Sequence, residues 1–194
     1  MPQVSLGEMV NALTTAPALV SFPTDTVPAL AARAQQAALI FVAKQRPPEK
    51  PLILMGASLD DLLPYVKGST TEVETWKALA ETYWPGQLTL VLPASDRTPQ
   101  DLNPTHTGTL GIRVPNHPIA LKLLSQTGPL ATTSANLSGQ PPLTTAADIS
   151  QTFPTALTLP AESYSQQAAS GKPSTVAQWT GSGWQILRQG KIHL

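Results

Sequence analysis

The stretch that decides the fold is 118–139, Pro118-Ile-Ala-Leu-Lys-Leu-Leu-Ser-Gln-Thr127-Gly-Pro-Leu130-Ala-Thr-Thr133-Ser134-Ala-Asn136-Leu-Ser-Gly139. Pro118 fits a first helical position, because its missing N–H is one the helix leaves unpaired there. A helix follows through Leu124, and Gly128-Pro129 stops it. Leu130–Thr133 then reads as a strand that runs straight into hydroxyls and an amide, Ser134-Ala135-Asn136. Helix, short apolar strand and polar turn in succession are the signature of an α/β sheet, which carries its ligands at strand ends.

The same alternation extends in both directions. Ser5-Leu6-Gly7-Glu8 has the form of a capping box, and Leu6, Met9, Val10 and Leu13 repeat at helical spacing, predicting a helix to about residue 15. Ala18–Phe22 is a buried-strand run, followed by the polar turn Pro23-Thr24-Asp25-Thr26. Residues 36–45 read as a helix ended by Pro47 and Pro48, since a residue before proline avoids the helical region. Pro51–Met55 reads as a strand, and Ser58 caps a short helix over Leu59–Val66. Thr71 and Glu74 form a second capping box, for a helix ending at Trp84-Pro85-Gly86. Leu88–Leu92, Thr109–Val114, Ser174–Trp179 and Trp184–Leu187 are further strands, the last two joined by the turn Gly181-Ser182-Gly183. A short helix near Thr145–Gln151 and an apolar segment Ala156–Leu159 lie between. Five or more strands among helices, without repeats, predict a single α/β domain over 1–194 with a twisted, open, mixed sheet flanked by helices.

Composition narrows the function classes. The chain has 194 residues, 12 basic and 12 acidic side chains, no cysteine and three histidines. Without Cys there is no disulfide, thiolate zinc site or thiol nucleophile. His106, His117 and His193 lack metal-ligand spacing, so no protein metal site is expected. No apolar run approaches the ~20 residues of a membrane span, and the N-terminus lacks a signal-peptide layout, so a soluble cytoplasmic protein is expected. Charged residues make up 12%, about half the usual ~25%. The 20 prolines lie scattered between apolar segments, as punctuation of a compact fold. Local charge is uneven. Residues 33–50 hold Arg33, Lys44, Arg46 and Lys50 against Glu49 alone, and 171–194 hold Lys172, Arg188 and Lys191 against no acid. That asymmetry suits an anion.

Several segments carry candidate chemistry. Lys44-Gln45-Arg46-Pro47-Pro48-Glu49-Lys50-Pro51 puts two cations at a helix end and a third at the next strand; it reads either as dipole compensation or as a polyanion grip. The chain has no G-x-x-x-x-G-K-[ST] loop, so a nucleotide would not sit in a P-loop. Ser134-Ala135-Asn136 lacks a nucleophile elbow and a His–Asp pair, so Ser134 reads as a hydrogen-bonding group and not a nucleophile. Arg113 interrupts the apolar strand Thr109–Val114 and needs either a structural ion pair or a ligand carboxylate. No side chain stands out as a general acid, base or nucleophile. Segment 161–173, with its Gly, Ser and Gln, has the composition of a lid.

Pro23–Thr26, Lys44–Leu52, Trp84–Thr89, Ile112–Pro118 and Ser134–Gly139, in that order, resemble the P-T-[DE]-T, K-x-R-P-x-x-[KN]-P-L, W-P-G-x-[LV]-T, V-R-x-P-x-H-P and S-A-N-x-S-G segments of the threonylcarbamoyl-AMP synthase (YrdC-like) family. The resemblance spans about residues 5–190 and leaves no room for the extra C-terminal domain of longer relatives. It implies a YrdC-like sheet with a concave, positively charged cavity. It also implies synthesis of threonylcarbamoyl-AMP from L-threonine, bicarbonate and ATP, with release of pyrophosphate and with Mg2+ accompanying the ATP. The product would feed threonylcarbamoyladenosine modification of tRNA next to the anticodon, completed by a separate transferase. By position, Thr26, Arg113, Ser134 and Ser174 would contact L-threonine, with Arg113 on its carboxylate. Arg46, Lys50, Thr109, Asn136, Thr144 and Arg188 would hold ATP, with Lys44 helping at the phosphates. The chain departs from the pattern at Val27-Pro28-Ala29-Leu30, where the family usually has an aromatic residue and glycine, and at Met55, where longer relatives often carry His. A non-catalytic module binding double-stranded RNA or tRNA in the same cavity is the alternative. Only 5% aromatic residues, none within the basic loop, disfavour base stacking. Carbamoyl-adenylate domains of the hydrogenase-maturation type sit in much larger chains.

Overall fold

The computed structural model describes residues 3–165 and 169–194. The strands are β1 (Leu19–Phe22), β2 (Ala29–Arg33), β3 (Ile53–Met55), β4 (Leu88–Pro93), β5 (Thr109–Arg113), β6 (Leu130–Ser134), β7 (Ala156–Thr158), β8 (Thr175–Trp179) and β9 (Trp184–Arg188). They form one sheet in the order β7-β1-β2-β6-β3-β5-β4-β8-β9. Pairings β1–β7, β3–β5 and β4–β8 are parallel and the other five antiparallel, so the sheet is mixed, as expected.

The helices are α1 (Leu6–Thr15), α2 (Ala38–Lys44), α3 (Leu59–Leu62), α4 (Thr70–Tyr83), α5 (Pro118–Thr127) and α6 (Ala146–Thr152). Ser5 and Glu8 close the expected capping box on α1. On α4 the box is formed by Ser69 and Glu72, two residues earlier than the Thr71–Glu74 reading, because Ser69 takes the extended cap conformation. Two elements run short of expectation: α2 begins at Ala38 after a 3₁₀ turn, and α3 passes into 3₁₀ at Leu63–Tyr65. Strand β2 is not among the strands that the sequence pattern predicts. Its Ala-Leu-Ala-Ala run carries little β preference, and tertiary pairing on both sides makes it a strand.

Strand side chains alternate between two faces. Leu30, Leu54, Leu90, Ile112 and Ala177 point into one apolar cluster, covered by Ile40 of α2, Leu62 of α3, Trp76 of α4 and Ile149 of α6. On the opposite face, Val20, Ala29, Ala31 and Leu130 pack under Met9 and Leu13 of α1 and Leu123 of α5. Among the described residues, β5, β4 and β8 contribute nothing to this second cluster, which leaves their half of the face without a packed apolar layer. Residues 161–173, read as a lid, begin as a 3₁₀ turn over 161–164, with the Tyr164 hydroxyl donating to the Ser21 carbonyl at 2.8 Å. Ser170 N and Gly171 N donate to the carbonyls of Asp25 and Thr26, each at 3.0 Å. Residues 166–168 of that segment lie outside the described ones.

Candidate active site

The uncovered half-face is the floor of a cavity of about 520 Å³. Strand alternation supplies the floor: Thr89 and Val91 from β4, Thr109, Gly111 and Arg113 from β5, and Ile53 and Met55 from β3. Thr132 and Ser134 of β6 and Val176 of β8 continue it, with Ser174 just before β8. Gly111 keeps the floor deep. A Cβ there would lie 2.8 Å from Ile53 Cγ2. Arg46, Arg113 and Arg188 are the only charged side chains lining the cavity among the described residues; no carboxylate, lysine or histidine joins them.

Arg113 is buried and held on three sides. Its Nη2 donates to Asp25 Oδ1 at 2.7 Å, Nη1 to Thr26 Oγ1 at 2.9 Å and Nε to the Gly86 carbonyl at 3.0 Å. Of the two readings left open for it, the structural ion pair is present, and the residue also lines the cavity. Burial lowers its pKa, the Asp25 charge raises it, and Arg188 lowers it further. Asp25, which the sequence presents as part of a turn, is the carboxylate that pairs with Arg113. The signal was there, since an arginine inside a strand calls for a carboxylate somewhere. The loop 23–28 is buried throughout, with Thr24 Oγ1 3.0 Å from Thr26 Oγ1 and donating to the Val27 carbonyl at 2.7 Å.

The basic segment divides. Arg46 lines the cavity, fixed by donating from Nε to the Lys50 carbonyl at 2.7 Å and from Nη2 to the Pro51 carbonyl at 3.0 Å. Lys50 is exposed and does not line the cavity; its contribution here is that carbonyl. Lys44 corrects the expectation that three cations face one anion. Only 1% exposed, it lies outside the lining, and its Nζ donates to the carbonyls of Ser134 and Asn136 and to Asn136 Oδ1. Burial pulls its pKa down to about 7, with Arg46 adding to the effect. Lys44 is therefore the buried anchor of the Ser134-Ala135-Asn136 turn. Ser134 Oγ donates to Asn136 Oδ1, and Asn136 Nδ2 donates to the carbonyls of Leu137 and Gln140 at 2.7 and 2.8 Å. Asn136 backs Ser134 without lining the cavity itself.

On the far side, Arg188 Nε donates to the Ser174 carbonyl at 3.0 Å and Nη2 to Ser174 Oγ at 3.2 Å, while Thr89 Oγ1 lies 2.8 Å from the same Ser174 Oγ. Burial lowers the pKa of Arg188 and of Arg46. Thr26, Thr109, Ser134 and Ser174 line the cavity with the arginines, whereas Thr144 is exposed and outside it. Val27, Ala29 and Met55, at the two departures noted in the sequence, also line it. Such an array suits an anion and a small polar molecule side by side, with hydroxyls as adaptable donors and acceptors. Among the described residues no group of three His, Cys, Asp or Glu could hold a metal, and no helix is long and apolar enough to cross a membrane.

Residues 13–190 match the Sua5/YciO/YrdC family model, described as telomere recombination. A threonylcarbamoyl-AMP synthase of Pyrococcus abyssi is 42% identical over 142 residues, 70% of this chain and 40% of the relative. One from Vibrio campbellii is 38% identical over 148 residues, 76% of this chain and 77% of the relative. One from Klebsiella pneumoniae is 43% identical over 111 residues, 57% of each. The chain thus spans about half the length or less of some relatives and most of others. Among solved structures, P. abyssi Sua5 complexed with L-threonine superposes with a TM-score of 0.81 at 34% identity, over 94% of this chain and 53% of that one. Escherichia coli YciO shares the fold, with a TM-score of 0.80 at 24% identity, over 96% and 89% of the two chains.

Proposed function

Because the chain belongs to the Sua5/YciO/YrdC family, we propose that it makes threonylcarbamoyl-AMP from L-threonine, bicarbonate and ATP. One observation carries this reading: a single cavity holds Arg113, with N–H groups to spare, beside three hydroxyls, and Arg46 and Arg188 at its other edges, with no acid among its lining. The size is right, since small-molecule sites run roughly 300–1,000 Å³. The relatives add support: P. abyssi Sua5 was crystallised with L-threonine, and the three curated relatives named above are threonylcarbamoyl-AMP synthases.

In this mechanism the amino acid's carboxylate pairs with Arg113, and Thr26, Ser134 and Ser174 orient its remaining polar atoms. The ammonium group gives a proton to solvent, and the neutral amine combines with bicarbonate to give a carbamate and water. A carbamate oxygen then attacks the α-phosphorus of ATP, and pyrophosphate leaves. Arg46 and Arg188, with Thr109, hold the triphosphate, while Lys44 and Asn136 keep the Ser134 turn in place. Lys50 and Thr144, exposed in the structure, would reach the nucleotide from the rim. The lining has no acid and no His, so the chain acts by positioning and by positive charge on the phosphates as charge moves onto pyrophosphate. Magnesium is the ion expected with ATP. The lining residues do not fit a resident divalent cation, which takes carboxylate oxygens, and the ion would come and go on the triphosphate.

In this reading 1–194 is one functional domain. It works in the cytoplasm and hands its product to a separate transferase for tRNA modification, and tRNA or double-stranded RNA is a further candidate partner of the same cavity. The test is ATP consumption with and without L-threonine and bicarbonate, following pyrophosphate. Release requiring both supports the reading. Turnover indifferent to threonine, or RNA binding with steep salt dependence and no turnover, refutes it. Calorimetry adds a second check: Arg46→Ala and Lys50→Ala should weaken ATP binding more than threonine binding.

A further inference from the structure

We propose that Asp25 is the positioning residue of the amino-acid subsite: its carboxylate fixes the Arg113 guanidinium and balances its charge while the subsite is empty, so that an incoming zwitterion meets an oriented fork. The inference rests on the function proposed above.

A guanidinium has five N–H groups. In Arg113 three are engaged: Nε with the Gly86 carbonyl, one on Nη1 with Thr26 Oγ1 and one on Nη2 with Asp25 Oδ1. One N–H remains on each terminal nitrogen, the number a carboxylate takes in two-point pairing. Arg113 lines the main cavity and Asp25 does not. Asp25 lines a second cleft of about 430 Å³, together with Gly86, Gln87 and Asn116. The acid therefore backs the guanidinium from outside the cavity. It leaves the cavity free of negative charge, which would repel phosphates.

Asp25 is suited to act on Arg113. It is 5% exposed, its Oδ2 has no hydrogen-bond partner among the described residues, and Arg113 is its ion-pair partner there. Among the described residues His117, buried at the N-cap of α5, also senses it: burial lowers the His117 pKa and the Asp25 charge partly offsets this. The backbone around Asp25 is held independently of its side chain. The Asp25 carbonyl accepts from Gln87 Nε2 and from Ser170 N, and the Thr26 carbonyl from Gly171 N, all at 3.0 Å. Replacing the carboxylate by an amide should leave the loop in place and loosen only the fork.

The experiment measures pyrophosphate release by the full chain, varying threonine at saturating ATP and then ATP at saturating threonine. Asp25→Asn should raise the threonine KM thirtyfold or more and leave the ATP KM within twofold. Asp25→Glu, which keeps the charge but displaces it by one methylene, should fall between, at three- to tenfold. In an Arg113→Ala background, Asp25→Asn should change the threonine KM by less than twofold, because its target is gone. Equal shifts in both KM values, no shift in either, or a full additional penalty in the double variant overturn the inference and assign Asp25 a merely structural role. If Asp25→Asn does not fold, the Asp25→Glu series decides by the same split. A wild-type chain without threonine-dependent pyrophosphate release is a different failure, that of the proposed function itself.

Discussion

Arg113 and Lys44 are both buried cations, and they solve the same problem differently. Arg113 has a carboxylate partner; Lys44 has carbonyl oxygens. Removing Arg113 leaves Asp25 buried without a counter-ion, so Arg113→Ala should lose about 3–5 kcal/mol of stability in urea titration. Any folded fraction should need roughly 10–150 times more threonine, the equivalent of about 1.5–3 kcal/mol for a charge-assisted pair. Lys44 yields a pH dependence. Its folded pKa of about 7 lies below its ordinary value of 10.5, so between those limits the unfolded chain binds more protons. Stability therefore rises with pH across that window. The urea midpoint of the wild type should climb from pH 7 to pH 9, and that of Lys44→Met should stay flat. At this scale the sequence shows which residues are unusual. It does not show which way they point. Lys44 and Arg46 are two positions apart, yet one lies under the Ser134 turn and the other faces the cavity, because α2 ends between them at Gln45 in the left-handed conformation.

Elements were legible where periodicity and punctuation agree. Strand β5 shows how much more the register adds. Thr109, Gly111 and Arg113 fall on the cavity face, while Leu110 and Ile112 fall in the core. A strand propensity scale would put a β-branched residue at position 111. The neighbouring Ile53 side chain forbids it, so Gly111→Ala should cost about 1–3 kcal/mol of stability by overpacking, read from the urea midpoint. Strand β2 escaped detection for the opposite reason. Nothing local marks Ala29–Ala32 as a strand, and its identity comes from β1 and β6 on either side. The shift of the α4 cap from Thr71 to Ser69 is a smaller lesson. Two overlapping [ST]-x-x-E patterns occur there, and the one whose serine has extended backbone, Ser69, forms the cap.

Across the whole molecule, fold class and site composition could be read from the chain, because motif order and strand–turn alternation are linear properties. The partition of the sheet into a fully covered face and a half-covered one could not, since it depends on which helices return to which side. That partition makes a separable prediction. Trp76 lies on the covered face, 1% exposed, with its ring 6.4 Å from that of Trp179. Trp76→Ala should lose about 3–5 kcal/mol in denaturant titration while the threonine KM of the folded protein stays unchanged.

The bare half-face also bears on how readily such a protein changes its chemistry. Val91, Thr132 and Val176 stand on strands whose opposite side chains do the work of holding the molecule together. Exchanging these three reshapes the chamber and leaves both apolar clusters untouched. The architecture is thus a durable frame with a replaceable interior, and a library confined to those positions should return folded variants with altered amino-acid preference far more often than one spread over the chain.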